Sequence, residues 1–207
     1  MKNVIPLLCV LLVALLAPCA AQSRNIVASP NAIIPAPEDT LRDQEHGNLL
    51  DKMHETPFFT DYSGSDAYRL IIESSFTGLT IVVRVEHRGD SITITSKELR
   101  AGHPPATKPA TGSNTDAAYT LTTDSRTLPA GENYRMLCLL ADSVAAHPTQ
   151  GSLTGLDGAG WTMEINSNHR YYKAKKWSPF AGDPFKEIAD LMIDLSTLPH
   201  KRSLKKL

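Results

Sequence analysis

Alternation of apolar and polar residues predicts a group of β-strands in the middle of the chain. Apolar side chains recur at every second position in Tyr68–Ile72, Leu79–Val85 and Ile92–Ile94, the period of a strand buried on one face. Gly89 lies in a link of hairpin length between the last two segments, where a positive φ is useful. A fourth strand is indicated at Tyr119–Thr123.

Apolar residues at three- and four-residue spacing predict two helices. The first follows Pro129 and ends before His147-Pro148. Its apolar stripe consists of Leu137, Leu140, Ala141 and Val144. The second begins with Asp183 as N-cap and Pro184 at the first helical position, and it closes at Pro199. Its inner face consists of Phe185, Ile188, Met192 and Leu195.

A hairpin is predicted between these helices, with strands Gly160–Asn166 and Arg170–Trp177 around Ser167–Asn168. The element order is therefore ββββαββα. Strands joined by hairpins, with helices segregated from them, indicate an α+β fold. We expect an antiparallel sheet with two helices packed on one face.

The first 21 residues have the pattern of a secretion signal. Lys2 precedes an apolar run from Val4 to Leu16, and the small residues up to Ala21 form a cleavage site. Cys19 would suit a lipid anchor, but Pro18 stands where a lipoprotein signal needs a small residue, which favours ordinary cleavage. We therefore expect an exported protein, periplasmic or secreted.

The rest of the chain divides into three parts. Residues 22–66 are a Pro-rich N-terminal tether with a short helix between Glu38 and His54, residues 67–199 form the α+β domain, and residues 200–207 are a basic tail. Without Lys2 and the four tail bases, 16 basic residues stand against 22 acidic ones. This acidic body excludes general nucleic-acid binding. The tail is interpreted as a solvated terminus, with contact to anionic lipid as its alternative.

The densest group of unusual residues lies on the C-terminal hairpin. Arg69, Glu164, Tyr171 and the loop at Asp157 could form a polar binding site on an open sheet face. The structural alternative, which we favour, puts the aromatic residues in the core, makes Asp157-Gly158 a turn and pairs Glu164 with a lysine across the hairpin.

Strand parity predicts the burial of Trp161 directly, whereas the burial of Trp177 depends on the geometry at the end of the hairpin. Trp161 shares the face of Met163 and should lie between the sheet and the final helix. A turn at residues 167–168 puts Tyr171 opposite Glu164 on the outer face, and the same parity exposes Trp177 as part of a recognition patch. A bulge before Pro179 would instead turn Trp177 into the core, an alternative that is slightly favoured.

No sequence motif in the chain indicates a metal site, a cofactor site or a catalytic triad. The histidines show no His-Glu-x-x-His run, the cysteines show no Cys-x-x-Cys pair, and no Gly-x-Ser-x-Gly elbow occurs. Cys138 is left alone after the signal, within an apolar stretch, and is interpreted as a buried thiol. We expect no cofactor and no metal site.

One pattern of residues resembles a group of uncharacterised bacterial exported proteins. It comprises Tyr68-Arg69-Leu70, Ser75-Phe76, Asp157-Gly158-Ala159 with Trp161 and Glu164, Tyr171, and Trp177-Ser178-Pro179. The group often has histidine where this chain has Tyr172. No activity is known for the group, so the resemblance implies a fold and no function.

These observations favour a binding module of the bacterial cell envelope over an enzyme. Its partner would be an unknown envelope protein or ligand, bound through Arg69, Asp157, Glu164, Tyr171 and Trp177. The alternative is a hydrolase directed at envelope material, with Glu164 as its acid or base.

Overall fold

The computed structural model describes residues 47–56, 58, 65–75, 77–102, 119–146, 158–167 and 170–207. In this part of the chain, six strands form one antiparallel sheet. They are β1 (Ala67–Ser74), β2 (Leu79–Arg88), β3 (Ser91–Ala101), β4 (Tyr119–Pro129), β5 (Ala159–Ser167) and β6 (Arg170–Trp177). The order across the sheet is β4-β3-β2-β1-β5-β6, so β4 and β6 are its edges.

The described residues also contain four helices. They are α1 (47–52), α2 (Gly131–Ala146), α3 (Pro184–Leu195) and α4 (Lys201–Leu204). An α+β fold with an antiparallel sheet is therefore confirmed. None of these helices is both long and apolar enough to cross a bilayer.

Local chemistry accounts for the turn between β2 and β3. Gly89 adopts φ +59° in the turn between β2 and β3, a conformation that is easy only for glycine. Ser167 pairs with Arg170, whereas a turn at residues 167–168 would have placed Ser167 within the turn and Tyr171 opposite Glu164. The predicted register is therefore wrong by two residues, but a shift of two leaves each side chain on its expected face.

The first face of the sheet packs against α2 and α3 and holds the main core. Trp161 is 0% exposed and packs with Met163, Phe185 and Ile188, which confirms its predicted burial. Asp183 caps α3 by accepting a hydrogen bond from the Phe185 amide at 2.9 Å, and Pro184 follows it in the first turn, as the sequence indicates.

The second face carries a cover that the predicted topology lacked. Residues 47–56 and Phe58, which we call the strap, pack on this face through Leu50 and Met53. The apolar residues beneath them are Ile71, Val82 and Leu99. The two predicted helices do share the first face, but the predicted element order lacked the helical cover of the second face, whose apolar patch also needs burial.

The basic C-terminus is folded. α4 follows α3 closely, and Leu204 is buried in the main core. Lys201 donates to the Asp194 carbonyl at 2.9 Å and Lys205 pairs with the Asp194 carboxylate at 2.6 Å. A solvated, frayed terminus was therefore a wrong interpretation, because Leu204 and Leu207 give this segment an apolar attachment.

Candidate functional site

Three of the predicted site residues meet on the second face of the sheet. Arg69 of β1 lies opposite Glu164 of β5 in the register of the two strands. The Arg69 guanidinium binds Glu164 Oε2 through Nε at 2.6 Å and Nη2 at 2.5 Å, and the Tyr171 hydroxyl donates to Glu164 Oε1 at 2.6 Å. Both oxygens of the Glu164 carboxylate are therefore occupied.

Tyr171 reaches Glu164 diagonally. Its direct partner on β5 is Asn166, while Lys173 stands opposite Glu164. Diagonal neighbours in an antiparallel pair lie within reach of an aromatic side chain. The contact predicted between Tyr171 and Glu164 is thus present, although the hairpin register differs from the predicted one.

A second carboxylate belongs to the same network and comes from the strap. Glu55 lies 2.6 Å from Lys97 Nζ, 3.3 Å from Arg69 Nη1 and 3.5 Å from Arg84 Nη1. Its side chain is 0% exposed. One buried carboxylate thus faces three cations, two of which are fixed on neighbouring strands at paired positions, Arg69 and Arg84.

The sheet also holds the strap by its backbone. Lys97 Nζ donates to the carbonyls of Met53 and His54, each at 2.8 Å. Arg69 Nη1 donates to the Thr56 carbonyl at 2.7 Å. The Asn166 amide donates to the Phe58 carbonyl at 3.3 Å. Backbone oxygens that the strap would otherwise bury without partners are therefore satisfied by side chains of the sheet.

The network is consequently covered, and the expectation of an open polar face is wrong for Arg69 and Glu164. Arg69 is 1% exposed and Glu164 is 3% exposed. The Phe58 ring centroid lies 4.3 Å from the Arg69 guanidinium carbon, which completes the cover. The favoured structural alternative paired Glu164 with a lysine. The contacts described above join the Glu164 carboxylate to Arg69 and Tyr171.

Trp177 lies apart from this network. It pairs with Gly160 at the end of β6, four residues from the position opposite Glu164, or about 13 Å along the strand. The pairing of β6 runs without a bulge through Trp177, which stays half-buried on the second face outside the main core. The bulge that would have turned it into the core is therefore absent.

Gly158 packs close to the end of β6. Its φ is +137°, and an added Cβ would lie 3.0 Å from Trp177 Nε1 and 2.3 Å from Ser178 Oγ. A side chain there would therefore clash as well as strain the backbone. The neighbouring candidate Asp157 lies outside the described residues.

The exposed part of the hairpin is the outer side of β6. Lys173 and Lys175 are both exposed, and they stand on the same side as Tyr171 and Trp177, which are half-buried. Because β6 is an edge strand, one of its two long sides has no neighbouring strand in the described sheet. This arrangement provides positive charge next to aromatic surface.

A second polar cluster lies on the first face, where β1 meets α2. The Tyr68 hydroxyl and Cys138 Sγ are 3.5 Å apart, and Cys138 is buried as predicted. Burial, and then the adjacent thiol, raise the pKa of the Tyr68 phenol far above its usual range.

Tyr134 of α2 lies in the same region. It donates a hydrogen bond to the Asp66 carboxylate and stacks on His87 with 3.7 Å between ring centroids. Burial and then the hydrogen bond to Asp66 raise the pKa of Tyr134.

Sequence reasoning missed Glu55, Arg84 and Lys97. One signal was available, since Arg84 and Lys97 occupy inward positions of long strands whose neighbours Val82 and Leu99 are apolar. Burial of a sheet face that mixes apolar and basic residues requires a covering segment with a carboxylate to pair with the bases. Glu55 gave no such signal, because it lies in a short polar segment without a period.

Metal chemistry has no support in the described residues, where no group of three or more His, Cys, Asp or Glu side chains could hold an ion. Comparisons with protein-family models, curated proteins and solved structures found no match to this chain. Function must therefore be inferred from the arrangement of its own residues.

Proposed function

We propose that this protein is an exported binding module of the bacterial cell envelope. We infer that it recognises an acidic, extended segment of an envelope protein through the outer side of β6. The observation that carries the proposal is the exposed pair Lys173 and Lys175, placed between the half-buried rings of Tyr171 and Trp177 on an edge strand.

The spacing of these side chains suits an extended ligand. Lys173 and Lys175 are two residues apart on one strand, which separates them by about 7 Å. Alternate side chains of an extended peptide have the same separation, so two acidic residues at positions i and i+2 could pair with both lysines. An open strand edge adds main-chain hydrogen bonds to such a peptide, and aromatic rings contribute contact area with little loss of entropy.

The contacts of Glu164 support binding over hydrolysis. A general acid or base must reach the reacting group within hydrogen-bond distance. Glu164 instead uses both oxygens on Arg69 and Tyr171, and it is only 3% exposed. In this role Glu164 orients the Tyr171 ring at the edge of the recognition surface and serves the binding face indirectly.

The proposal is tested with a fluorescein-labelled peptide of ten glutamates and measurement of fluorescence anisotropy. We expect saturable binding to the wild-type protein that weakens with added salt, because the contacts are ionic. The variant Lys173→Glu/Lys175→Glu should bind at least about tenfold more weakly, since two attractive contacts become repulsive. Both side chains are exposed, so the variant should remain folded, with a small loss of melting temperature because Lys173 stands opposite Glu164.

The matched control is Arg202→Glu/Lys206→Glu, which reverses two exposed charges on the C-terminal segment. It changes net charge by the same amount but leaves β6 intact, so it should bind the peptide as the wild type does. Equal losses in both variants would reduce the effect to net charge and overturn the proposed site. Absence of binding to the wild type would overturn the ligand class.

Export is tested separately by the intact mass of protein recovered from the bacterial envelope or medium. The signal pattern predicts cleavage after Ala21 and a new N-terminus at Gln22. A mass that corresponds to a lipidated Cys19 at the new N-terminus would contradict cleavage after Ala21 and would show that the protein is anchored to lipid. Retention of the full-length chain in the cytoplasm would contradict export while leaving the binding proposal to its own test.

A further inference from the structure

The helix α2 is apolar on two sides. Its inner side packs into the main core through Leu137, Ala141 and Val144. On its outer side Met136 is 40% exposed and Leu139 is 47% exposed. Large apolar side chains that recur on the solvent side of a helix mark an interaction surface more often than single exposed ones do.

Helical geometry arranges the outer side around Leu139. Each residue advances the direction of the side chain by about 100°, which puts Leu139 nearly opposite the centre of the buried stripe. Met136 lies on one flank of Leu139, together with the half-buried Ser143. Arg135 and Asp142 share the other flank, because residues seven apart are separated by two turns.

Arg135 and Asp142 are exposed, and within the described residues neither side chain makes a hydrogen bond or an ion pair. Seven positions are too many for the two to pair on their own helix, since side-chain pairs form at i,i+3 and i,i+4. Although part of the Asp142 side chain is accessible, partial desolvation of its carboxyl raises the pKa above the ordinary value. A cation brought close to this carboxylate from outside would therefore be favourable.

We propose that the outer side of α2 binds the same side of α2 in a second copy of this chain, antiparallel and about a two-fold axis beside Leu139. A two-fold axis perpendicular to both helices puts equal flanks together and reverses the chain direction. The midpoint between Arg135 and Asp142 falls between positions 138 and 139. Arg135 therefore faces the partner's Asp142, and Asp142 faces the partner's Arg135.

The occupant is a second copy because the charges are complementary to themselves. A symmetric pairing forms two ion pairs between Arg135 and Asp142, both on one flank of an apolar contact made by Met136 and Leu139. The buried surface is that of one helix face, which is smaller than the roughly 800 Å² per partner of a standard stable interface. We therefore expect a reversible dimer that dissociates on dilution into the micromolar range.

Sedimentation equilibrium on the full chain tests the proposal through two single charge reversals. Arg135→Asp alone puts two pairs of like negative charges together, and Asp142→Arg alone puts two pairs of like positive charges together. Each variant should be monomeric at concentrations where the wild type dimerises. An equimolar mixture of the two variants should dimerise again, because only the heterodimer has an Asp facing an Arg at both contacts.

Leu139→Glu should also abolish the dimer, whereas Phe180→Ser should leave it intact. Phe180 is 74% exposed and lies outside α2, so this control removes an equally apolar surface from another place. All variants change exposed residues, and unchanged thermal melting of the diluted protein would show that they are folded.

Three results would overturn the proposal. The wild type could be monomeric at all accessible concentrations, the single charge reversals could dimerise as the wild type does, or their mixture could stay monomeric. If the wild type is monomeric and the Leu139→Glu substitution also lowers its melting temperature, the first of these results has its explanation. Another part of the same chain then covers the outer side of α2.

Discussion

Glu55 is the residue on which the buried polar network depends, because its one carboxylate faces Lys97, Arg69 and Arg84. Removing one partner from a buried ion pair leaves an uncompensated charge in low dielectric. We predict that Glu55→Gln lowers the free energy of unfolding by about 3–5 kcal/mol, measured by urea denaturation. The matched control Glu132→Gln changes an exposed carboxylate and should cost less than about 0.5 kcal/mol. A similar small cost for Glu55→Gln would mean that the strap leaves its carboxylate hydrated.

Trp161 tests the main core in the same way. It is the largest fully buried side chain, and the Lys186 ammonium lies 4.8 Å from its ring centroid. Trp161→Ala should cost about 3–5 kcal/mol in unfolding free energy, because a cavity opens between the sheet and α3. Trp177→Ala, at the half-buried end of β6, should cost less and should weaken capture of the acidic peptide. Melting of the Trp161→Ala variant within a degree or two of wild type would contradict the burial.

Among the elements, the strap is held in place by charged side chains of the sheet as well as by apolar contacts. Lys97→Met removes the donors to the Met53 and His54 carbonyls but keeps an apolar stem of similar length. We predict faster amide hydrogen exchange over residues 47–56, while exchange in β1 and β5 stays slow. Mass spectrometry of peptides from exchanged protein would measure both.

Lys173→Met is the control for this experiment, because Lys173 is exposed on β6, whereas the donor to the Met53 and His54 carbonyls is Lys97. It should leave the exchange of residues 47–56 unchanged. Faster exchange in every element of the Lys97→Met protein would indicate global loss of stability and would contradict a local role for Lys97.

How far the elements could be predicted depended on how regular their patterns were. Alternation located all six strands, and the Asp183 cap and Pro184 located the start of α3, because these signals are local. β3 continues to Ala101, well beyond the predicted end at Thr95. The alternation could not be followed further because Lys97 is directed into the second face, where an apolar residue was expected. α1 lacked a clear pattern, since Gly47 and Asn48 weaken a short helix whose stability comes from tertiary packing.

The candidate site was predictable only in part for the same reason. Parity alone put Arg69, Glu164 and Tyr171 on one face, and strand pairing brought them together. Parity also put Trp177 on that face, but the hairpin register decides which residue of β6 lies opposite Glu164 and therefore how far Trp177 is from it. The cover by Glu55 and Phe58 depends on contacts between segments far apart in sequence, which no local period records.

At the scale of the whole molecule, the sheet separates two proposed surfaces. The outer side of α2 belongs to the helical layer on the first face, and the side chains of Lys173 and Lys175 leave β6 on the second face. A second copy bound at α2 would therefore leave the β6 side of each subunit exposed. The proposed dimer would present two equal sites for an acidic segment.

This geometry predicts avidity, provided that both the binding proposal and the dimer proposal hold. A polyglutamate chain long enough to reach both sites should bind the wild-type dimer more tightly than the ten-residue peptide does, by a factor on the order of 100, because the second contact is intramolecular. Leu139→Glu should lose this gain and yet bind the short peptide with unchanged affinity, since Leu139 lies on the opposite layer. Anisotropy titrations with both ligands, at protein concentrations above the dimer dissociation constant, would measure the two effects side by side. An equal preference for the long chain in both proteins would show that the two sites act independently, and loss of short-peptide binding in Leu139→Glu would show that the surfaces are not separate.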